Sequence, residues 1–370
     1  MISSARSAAA VCLVLAAAAL FPTLRNGFTT WDDPQYILEN PLVRSLSPGS
    51  VVTMFTTPEY AGNYHPVTLL AMAVQYAIFG TSPLGYHLVS LLLHLGATLL
   101  IYRFTLALTR MPLVAFGAAL LFGVHPLHVE PVAWLSDQKD LLYTIFFLGA
   151  ALAYIRYRET GDSKFLYRVT IPLFVLSLLS KGLAVTLPVT LLLIDYYRDG
   201  RIRGATLKNQ IPLFALSMVF GILAINAQSS AGAISDAGID GPVEKLLYAS
   251  AGYVLYIVKL VVPFGLSPWY PYPREVPVYY WVYPIVAAGV IAAAIASRKK
   301  YPLIFLGMAW YTVTVTPVLQ FLQVGNAEMA ERYAYLPSLG VLLIIASAFA
   351  AATERFTSTK VGEYLPHAAA

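Results

Sequence analysis

The chain has 370 residues, of which 58% are hydrophobic and only 12% charged, with a formal net charge of +5. That composition excludes a soluble globular protein, and the basic residues lie scattered through short loops, which excludes a nucleic-acid surface. The class that remains is a polytopic membrane protein, an all-α bundle of membrane helices.

In chain order, the candidate spans are the apolar stretches near 7–24, 84–102, 112–124, 141–155, 169–180, 183–194, 211–227, 246–263, 282–297, 302–322 and 336–352. A span needs about 20 residues to cross a hydrocarbon core of about 30 Å, and the count comes to roughly ten or eleven membrane segments. Several runs are shorter, so their ends must recruit flanking aromatic residues or lie inside the bundle. Arg6 and nearby small residues give the first stretch the look of a leader. Its apolar run is longer than a leader core and leads straight into an acidic motif, so it reads as an uncleaved first helix. Cys12 is the only cysteine, so no internal disulfide forms.

Beyond that helix lies the longest loop, 25–83, which carries Thr29-Thr30-Trp31-Asp32-Asp33-Pro34. Charge at a membrane face costs free energy and so points to function, here to a catalytic base. Asp33 precedes proline and is equally readable as a helix N-cap. Neighbouring residues point in different directions, which assigns the chemistry to Asp32 and a supporting or acceptor-binding role to Asp33. Ser47-Pro48, Thr57-Pro58 and Ser82-Pro83 each place a capping hydroxyl before a proline at a helix start. The segment 51–55 between the first two reads as a short helix lying in the interface.

Basic residues set the orientation. Arg103 and Arg110, then Arg156 to Arg168, then Arg198 to Lys208, then Arg298 to Lys300 mark four cytoplasmic loops. The segments 25–83, 125–140, the turn at Lys181, 228–243, 265–280 and 323–335 then face outward. Residues 66–80 and 246–263 break this parity, so they are re-entrant or interfacial, or the parity itself fails there.

The outward segments hold the polar clusters. His125-Pro126-Leu127-His128-Val129-Glu130-Pro131 is followed by Asp137-Gln138-Lys139-Asp140. Two histidines three apart could ligate a metal, but Pro126 and Pro131 break the helix that would align them. A structural hydrogen-bonded role and substrate contact stay open beside the metal reading. Lys139 and Lys181 each sit at an outer boundary beside apolar helix, where they either snorkel or meet an anionic lipid head group. Arg332 is a third such cation, with Glu328 and Glu331 close enough in sequence to pair with it. Trp269 and Tyr270 belong to an aromatic run that forms either an interfacial belt or a sugar-stacking wall.

Taken together, these motifs resemble a known family. Trp31-Asp32-Asp33 with Asn40-Pro41, Tyr64-His65-Pro66-Val67-Thr68, the His125 to Glu130 run, Ser180-Lys181-Gly182, and Glu331-Arg332-Tyr333-Ala334-Tyr335-Leu336-Pro337-Ser338 occur in a distinctive order. It is the order seen in the transmembrane and tetratricopeptide-repeat O-mannosyltransferases and their bacterial relatives, among the GT-C glycosyltransferases. The resemblance covers about residues 20–345 and implies a donor hexose, mannose in the family, carried on polyprenyl phosphate. It places Asp32 at the family's catalytic acidic position, where it would act as base, with Asp33 beside it, and Lys139, Lys181 or Arg332 as the clamp on the donor phosphate. The residues expected to contact substrate are His65, His125, His128, Glu130, Asp140 and Glu331, together with Trp269 and Tyr270 of the aromatic run. Lys139 and Asp140 fall where relatives carry an Arg-Ala-Asp element, and His65 stands where many have arginine.

One membrane domain, 1–370, without a soluble domain is the economical organisation. Relatives continue into tetratricopeptide repeats. This sequence shows none, so a short homologue is expected, with a glycan as acceptor beside the family's protein. The site is expected on the outer side of a bacterial inner membrane, with no cofactor and no essential metal, since neither acidic pair nor histidine pair offers a full ligand shell. The rival class is a secondary transporter or lipid flippase, against which the outer-loop placement of the polar groups argues.

Overall fold

The computed structural model describes residues 2–363 except 58, 59, 61, 233–240 and 322. The chain opens with α1 (Ile2–Leu20) and enters the long loop through a 3-10 turn, Phe21–Arg25. The loop holds a π-type turn at Pro34–Leu38, then α2 (Pro48–Thr56) and α3 (Pro66–Phe79). Next come α4 (Pro83–Thr109), α5 (Pro112–Val124), the short α6 (Val129–Ala133) and α7 (Gln138–Thr160). They are followed by α8 (Ile171–Ser180), α9 (Leu187–Asp199), α10 (Gly204–Ser230) and α11 (Pro242–Val261). The last elements are β1 (Tyr270–Pro271), α12 (Tyr283–Ser297), α13 (Pro302–Val315), β2 (Ala327–Met329) and α14 (Ser338–Glu363). The two strands pair antiparallel and are the only strands among the described residues.

Local sequence explains where these helices start and stop. Proline, which needs no N–H partner at a first helical position, opens α2, α3, α4, α5, α11 and α13. Ser47 caps α2, its hydroxyl accepting from Ser50 N at 3.1 Å. Ser82 precedes α4 without a side-chain cap, and Thr57 closes α2, while Pro58 lies outside the described residues. Gly161 and Gly200 end α7 and α9 at φ +70° and +68°, a backbone state that glycine enters freely.

Six helices are long and apolar enough to cross a membrane: Arg6–Arg25, Pro83–Thr109, Leu135–Thr160, Gly204–Ser230, Val278–Ser297 and Ser338–Arg355. Pro112–Val124 with Pro126–Ala133, bent by 55°, makes a seventh if it is one span. The expected ten or eleven segments came from counting every apolar run as a span. α8 has 10 residues and α9 has 13, each too short to cross alone. Residues 66–79 form a 14-residue helix. The 246–263 stretch is the greater part of α11, which carries Glu244, Lys245 and Lys259.

α5 packs against α1, α4 and α14, and α7 against α4 and α8, around a common apolar core. Between apolar helices in lipid the driving force is close packing, so small residues mark the crossings. At Gly307 a Cβ would lie 2.5 Å from the Gly340 carbonyl oxygen, and at Gly340 one would lie 2.2 Å from that of Gly307. α13 and α14 therefore touch backbone to backbone there. α10 and α12 are peripheral and leave side chains such as Met218 and Ile285 exposed, as lipid-facing helices do.

Candidate functional site

The helix break at His125–Pro126 and the turn Leu135–Asp137 carry the chain back to the leading end of α7, where Asp137, Lys139 and Asp140 lie buried. Two further segments meet this end. Lys181 is the C-cap of α8, in extended backbone that turns its side chain away from the helix. Arg332 lies in the 3-10 turn Glu331–Ala334 just after β2.

The three cations converge. Lys181 Nζ is 2.5 Å from Asp140 Oδ2, and Lys139 Nζ is 3.3 Å from Asp137 Oδ1. Arg332 reaches Glu130 Oε1 at 2.6 Å, and its backbone N donates to Glu130 Oε2 at 2.8 Å. Arg332 Nε is also 3.9 Å from Asp137 Oδ2, so Asp137 bridges Lys139 and Arg332. Three cations thus face three carboxylates in a buried network. Aromatic faces surround it: Arg332 and Lys181 lie 4.8 and 5.5 Å from the centre of the Tyr333 ring, and Arg332 and Lys139 lie 5.1 and 5.8 Å from Trp134.

The first loop packs on this cluster. Trp31 meets Trp134 edge to face at 5.4 Å, and the Tyr36 ring lies 5.2 Å from Lys139 Nζ. Asp32, between Trp31 and Tyr36 in sequence, is half-buried, and no hydrogen bond or ion pair from a described residue reaches its carboxylate. Asp33 is the opposite case. Fully buried, it makes no helix-capping bond and accepts from Thr29 N and Oγ1 at 2.7 and 3.0 Å. Its other oxygen accepts from Ser136 N and Oγ at 2.9 and 2.5 Å.

A cavity of about 330 Å³ opens beside the cluster. Lys181, His65 and Tyr333 are among its polar lining residues, and Leu183, Phe220 and Ile225 among its apolar ones. His65 is buried with Nδ1 unpartnered. Burial, with Lys139 and Lys181 nearby, pushes its pKa well below the ordinary histidine value, so the ring is neutral.

The other sequence candidates are placed as follows. His125 accepts from Leu127 N at 3.2 Å and meets the Leu260 carbonyl at 3.0 Å. His128 meets the Phe122 carbonyl at 2.7 Å and Ser338 Oγ at 3.1 Å. Both rings are therefore held by the protein through both nitrogens, the geometry of a structural role. Glu331 and Glu328 do not pair with Arg332. Glu331 accepts from Tyr270 at 2.9 Å and Glu328 from Tyr280 at 2.9 Å, while Glu130, distant in sequence, takes the arginine. Burial raises the Glu331 pKa against the Tyr270 bond, and raises that of Glu328 to about 7 against the Tyr280 bond. Trp269 is exposed. Among the described residues, no group of three or more His, Cys, Asp or Glu is placed to hold a metal ion.

Sequence reasoning gave no role to Asp137, Ser136, Trp134 or Tyr36. Their signal was proximity to Lys139 and Asp32, which spacing alone does not convert into contact.

Fold and site define an integral membrane protein whose buried charge cluster lies where loop and helix ends meet beside an apolar cavity. By sequence it is similar to curated proteins named protein O-mannosyl-transferases. A protein O-mannosyl-transferase of Caenorhabditis elegans is 26% identical across 94% of this chain and 52% of its own length. The Homo sapiens protein O-mannosyl-transferase TMTC4 is 25% identical across 91% of this chain and 54% of its own. A Drosophila melanogaster protein O-mannosyl-transferase is 36% identical across 47% of this chain and 21% of its own. The chain thus spans about half the length of the relatives that match nearly all of it. No family model and no solved structure matches it.

Proposed function

We propose that the chain is a membrane glycosyltransferase that moves a hexose, mannose by analogy with its homologues, from a polyprenyl-phosphate donor to an acceptor hydroxyl on a protein or glycan. The observation that carries this is the convergence of Lys139, Lys181 and Arg332 on one buried cluster against which the loop bearing the unpartnered Asp32 is packed. A lipid-linked donor arrives from the bilayer plane. The largely apolar cavity, with Lys181 in its lining, suits the first units of such a chain and the phosphate behind them.

Asp32 takes the proton of the acceptor hydroxyl as its oxygen attacks the anomeric carbon. The bond from that carbon to the phosphate oxygen breaks, and the phosphate leaves with its new charge stabilised by the fixed cations. Inversion follows, because a single displacement needs one carboxylate, not a glycosidase pair. His65, neutral and with a free ring nitrogen, is available to the donor from the cavity wall. The proposed site faces the periplasm from a bacterial inner membrane, and no resident metal takes part.

The test replaces Asp32 with Asn, checks folding by size exclusion and thermal unfolding, and assays transfer from a lipid-phosphate sugar. Loss of transfer by at least about a hundredfold supports the base. Near wild-type transfer overturns it. Lipid movement in reconstituted vesicles without a new glycosidic bond would make the protein a flippase instead, and turnover lost to chelator and restored by manganese or magnesium would overturn the metal-free reaction.

A further inference from the structure

We propose that a crevice at the opposite end of the bundle binds the phosphate of an anionic phospholipid head group. The two ends are set by α7, whose leading end carries Asp140 and whose trailing end carries Arg158, about 27 Å away at 1.5 Å per residue. At the trailing end, α9 finishes in Asp199, α12 finishes in Ser297 and α13 begins at Pro302. A cavity of about 270 Å³ lies between them, lined by Tyr196, Tyr197, Arg298, Lys299 and Phe305 and by no carboxylate. Tyr196 and Phe305 meet edge to face at 5.4 Å, which gives the cavity an apolar wall.

Several of the arginines at this end already have a carboxylate. Arg158 is held by Asp195 and Asp199, Arg203 by Asp199, and Arg110, Arg156 and Arg198 by Glu159. Those carboxylates are fully engaged. Arg298 donates only to the Ile295 carbonyl at 2.8 Å, and among the described residues no ion pair reaches either Arg298 or Lys299. Arg298 and Lys299 are both exposed, and two such cations bordering a partly open recess without a counter-charge attract an anion that fits the recess. Cations that served only to orient the chain would need no crevice. Ile291 and Ile295 on α12 are exposed about two turns and one turn before Arg298, so acyl chains would lie along them while the phosphate enters the cavity. A free phosphate would gain the charge contacts without those apolar ones, which favours the lipid.

The experiment measures lipid retention on the full chain by native mass spectrometry, with phosphatidylglycerol and phosphatidylcholine as probes. Wild type should keep phosphatidylglycerol in preference. Arg298→Gln with Lys299→Gln should weaken that retention about 10- to 30-fold, the loss expected for two interfacial charges. Lys164→Gln with Arg168→Gln, at the same end but outside the cavity, should leave it unchanged. If the double variant does not stay monodisperse, Lys299→Gln alone should give a loss of about fivefold. Unchanged retention, or an equal loss in the control pair, would overturn the site. Displacement of phosphatidylglycerol by millimolar inorganic phosphate would overturn the lipid assignment and leave a free anion as the ligand.

Discussion

Asp33 and Ser136, 103 residues apart, are joined by two hydrogen bonds to one carboxylate oxygen, while Thr29 occupies the other. This ties the loop bearing Asp32 to the turn that delivers Asp137 and Lys139, so the proposed base and the cations are held in one frame. Hydrogen bonds to a buried carboxylate contribute more than neutral ones, and deleting the acceptor strands the buried Ser136 N–H and the half-buried Thr29 N–H. Asp33→Ala should therefore destabilise the protein by about 3 kcal/mol, and Ser136→Ala by about 1–2 kcal/mol. Thermal and denaturant unfolding in detergent would check both. An Asp33→Ala protein as stable as wild type would show that the tie contributes nothing.

The sequence carried the local part of this structure and little of the rest. Membrane class, the proline-opened helices, and Lys139, Lys181 and Arg332 as notable cations all follow from residue type and immediate neighbours. The pairing does not, because the acid that holds Arg332 is Glu130, 202 residues earlier, and not the adjacent Glu331. A 3-10 turn sends residues 331 and 332 in different directions. His125 and His128 carried metal and substrate readings because backbone carbonyls, which satisfy them here, leave no mark in a sequence. The expected ten or eleven segments and the six long apolar helices differ for a similar reason: an apolar run of a dozen residues reads alike whether it crosses the bilayer or packs inside the bundle.

At the crossing of α13 and α14, neither Gly307 nor Gly340 has room for a side chain. Gly307→Val should force the two backbones apart and cost about 1–3 kcal/mol, as overpacking does elsewhere. Gly289 in α12 has nothing within 4 Å of an added Cβ, so Gly289→Ala should be neutral or slightly stabilising. Parallel thermal unfolding of the two variants separates packing from helix propensity. Equal behaviour would count against close contact at Gly307.

Glu328 gives a pH signature. Burial raises its folded pKa to about 7, above the ordinary value of 4.5. The folded state therefore holds the proton more tightly than the unfolded chain, and stability from this group is greatest below pH 4.5. It falls as pH rises toward 7 and is level above that, by at most about 3 kcal/mol in total. Glu328→Gln should flatten that part of the curve and be the more stable form at pH 8. Melting temperatures of both proteins from pH 5 to 8 would decide, and parallel curves would rule the titration out.

Lys181 and Asp140 allow structural and functional roles to be separated. The pair is buried at 2.5 Å, so Lys181→Met leaves a carboxylate without its cation and should cost about 3–5 kcal/mol. Removing both charges in Lys181→Met with Asp140→Leu should recover most of that loss, because a hydrophobic pair of similar volume is often as stable as a buried ion pair. Recovery of stability should not bring recovery of transfer. If Lys181 stabilises the leaving phosphate, the double variant stays down by about a hundredfold or more in kcat/KM for the lipid-linked donor, with acceptor affinity little changed. Unfolding and transfer assays on the same preparations supply both readouts. A double variant that regains wild-type transfer along with its stability would show that Lys181 serves only to neutralise Asp140, and the donor phosphate would then have to be met by Lys139 and Arg332 alone.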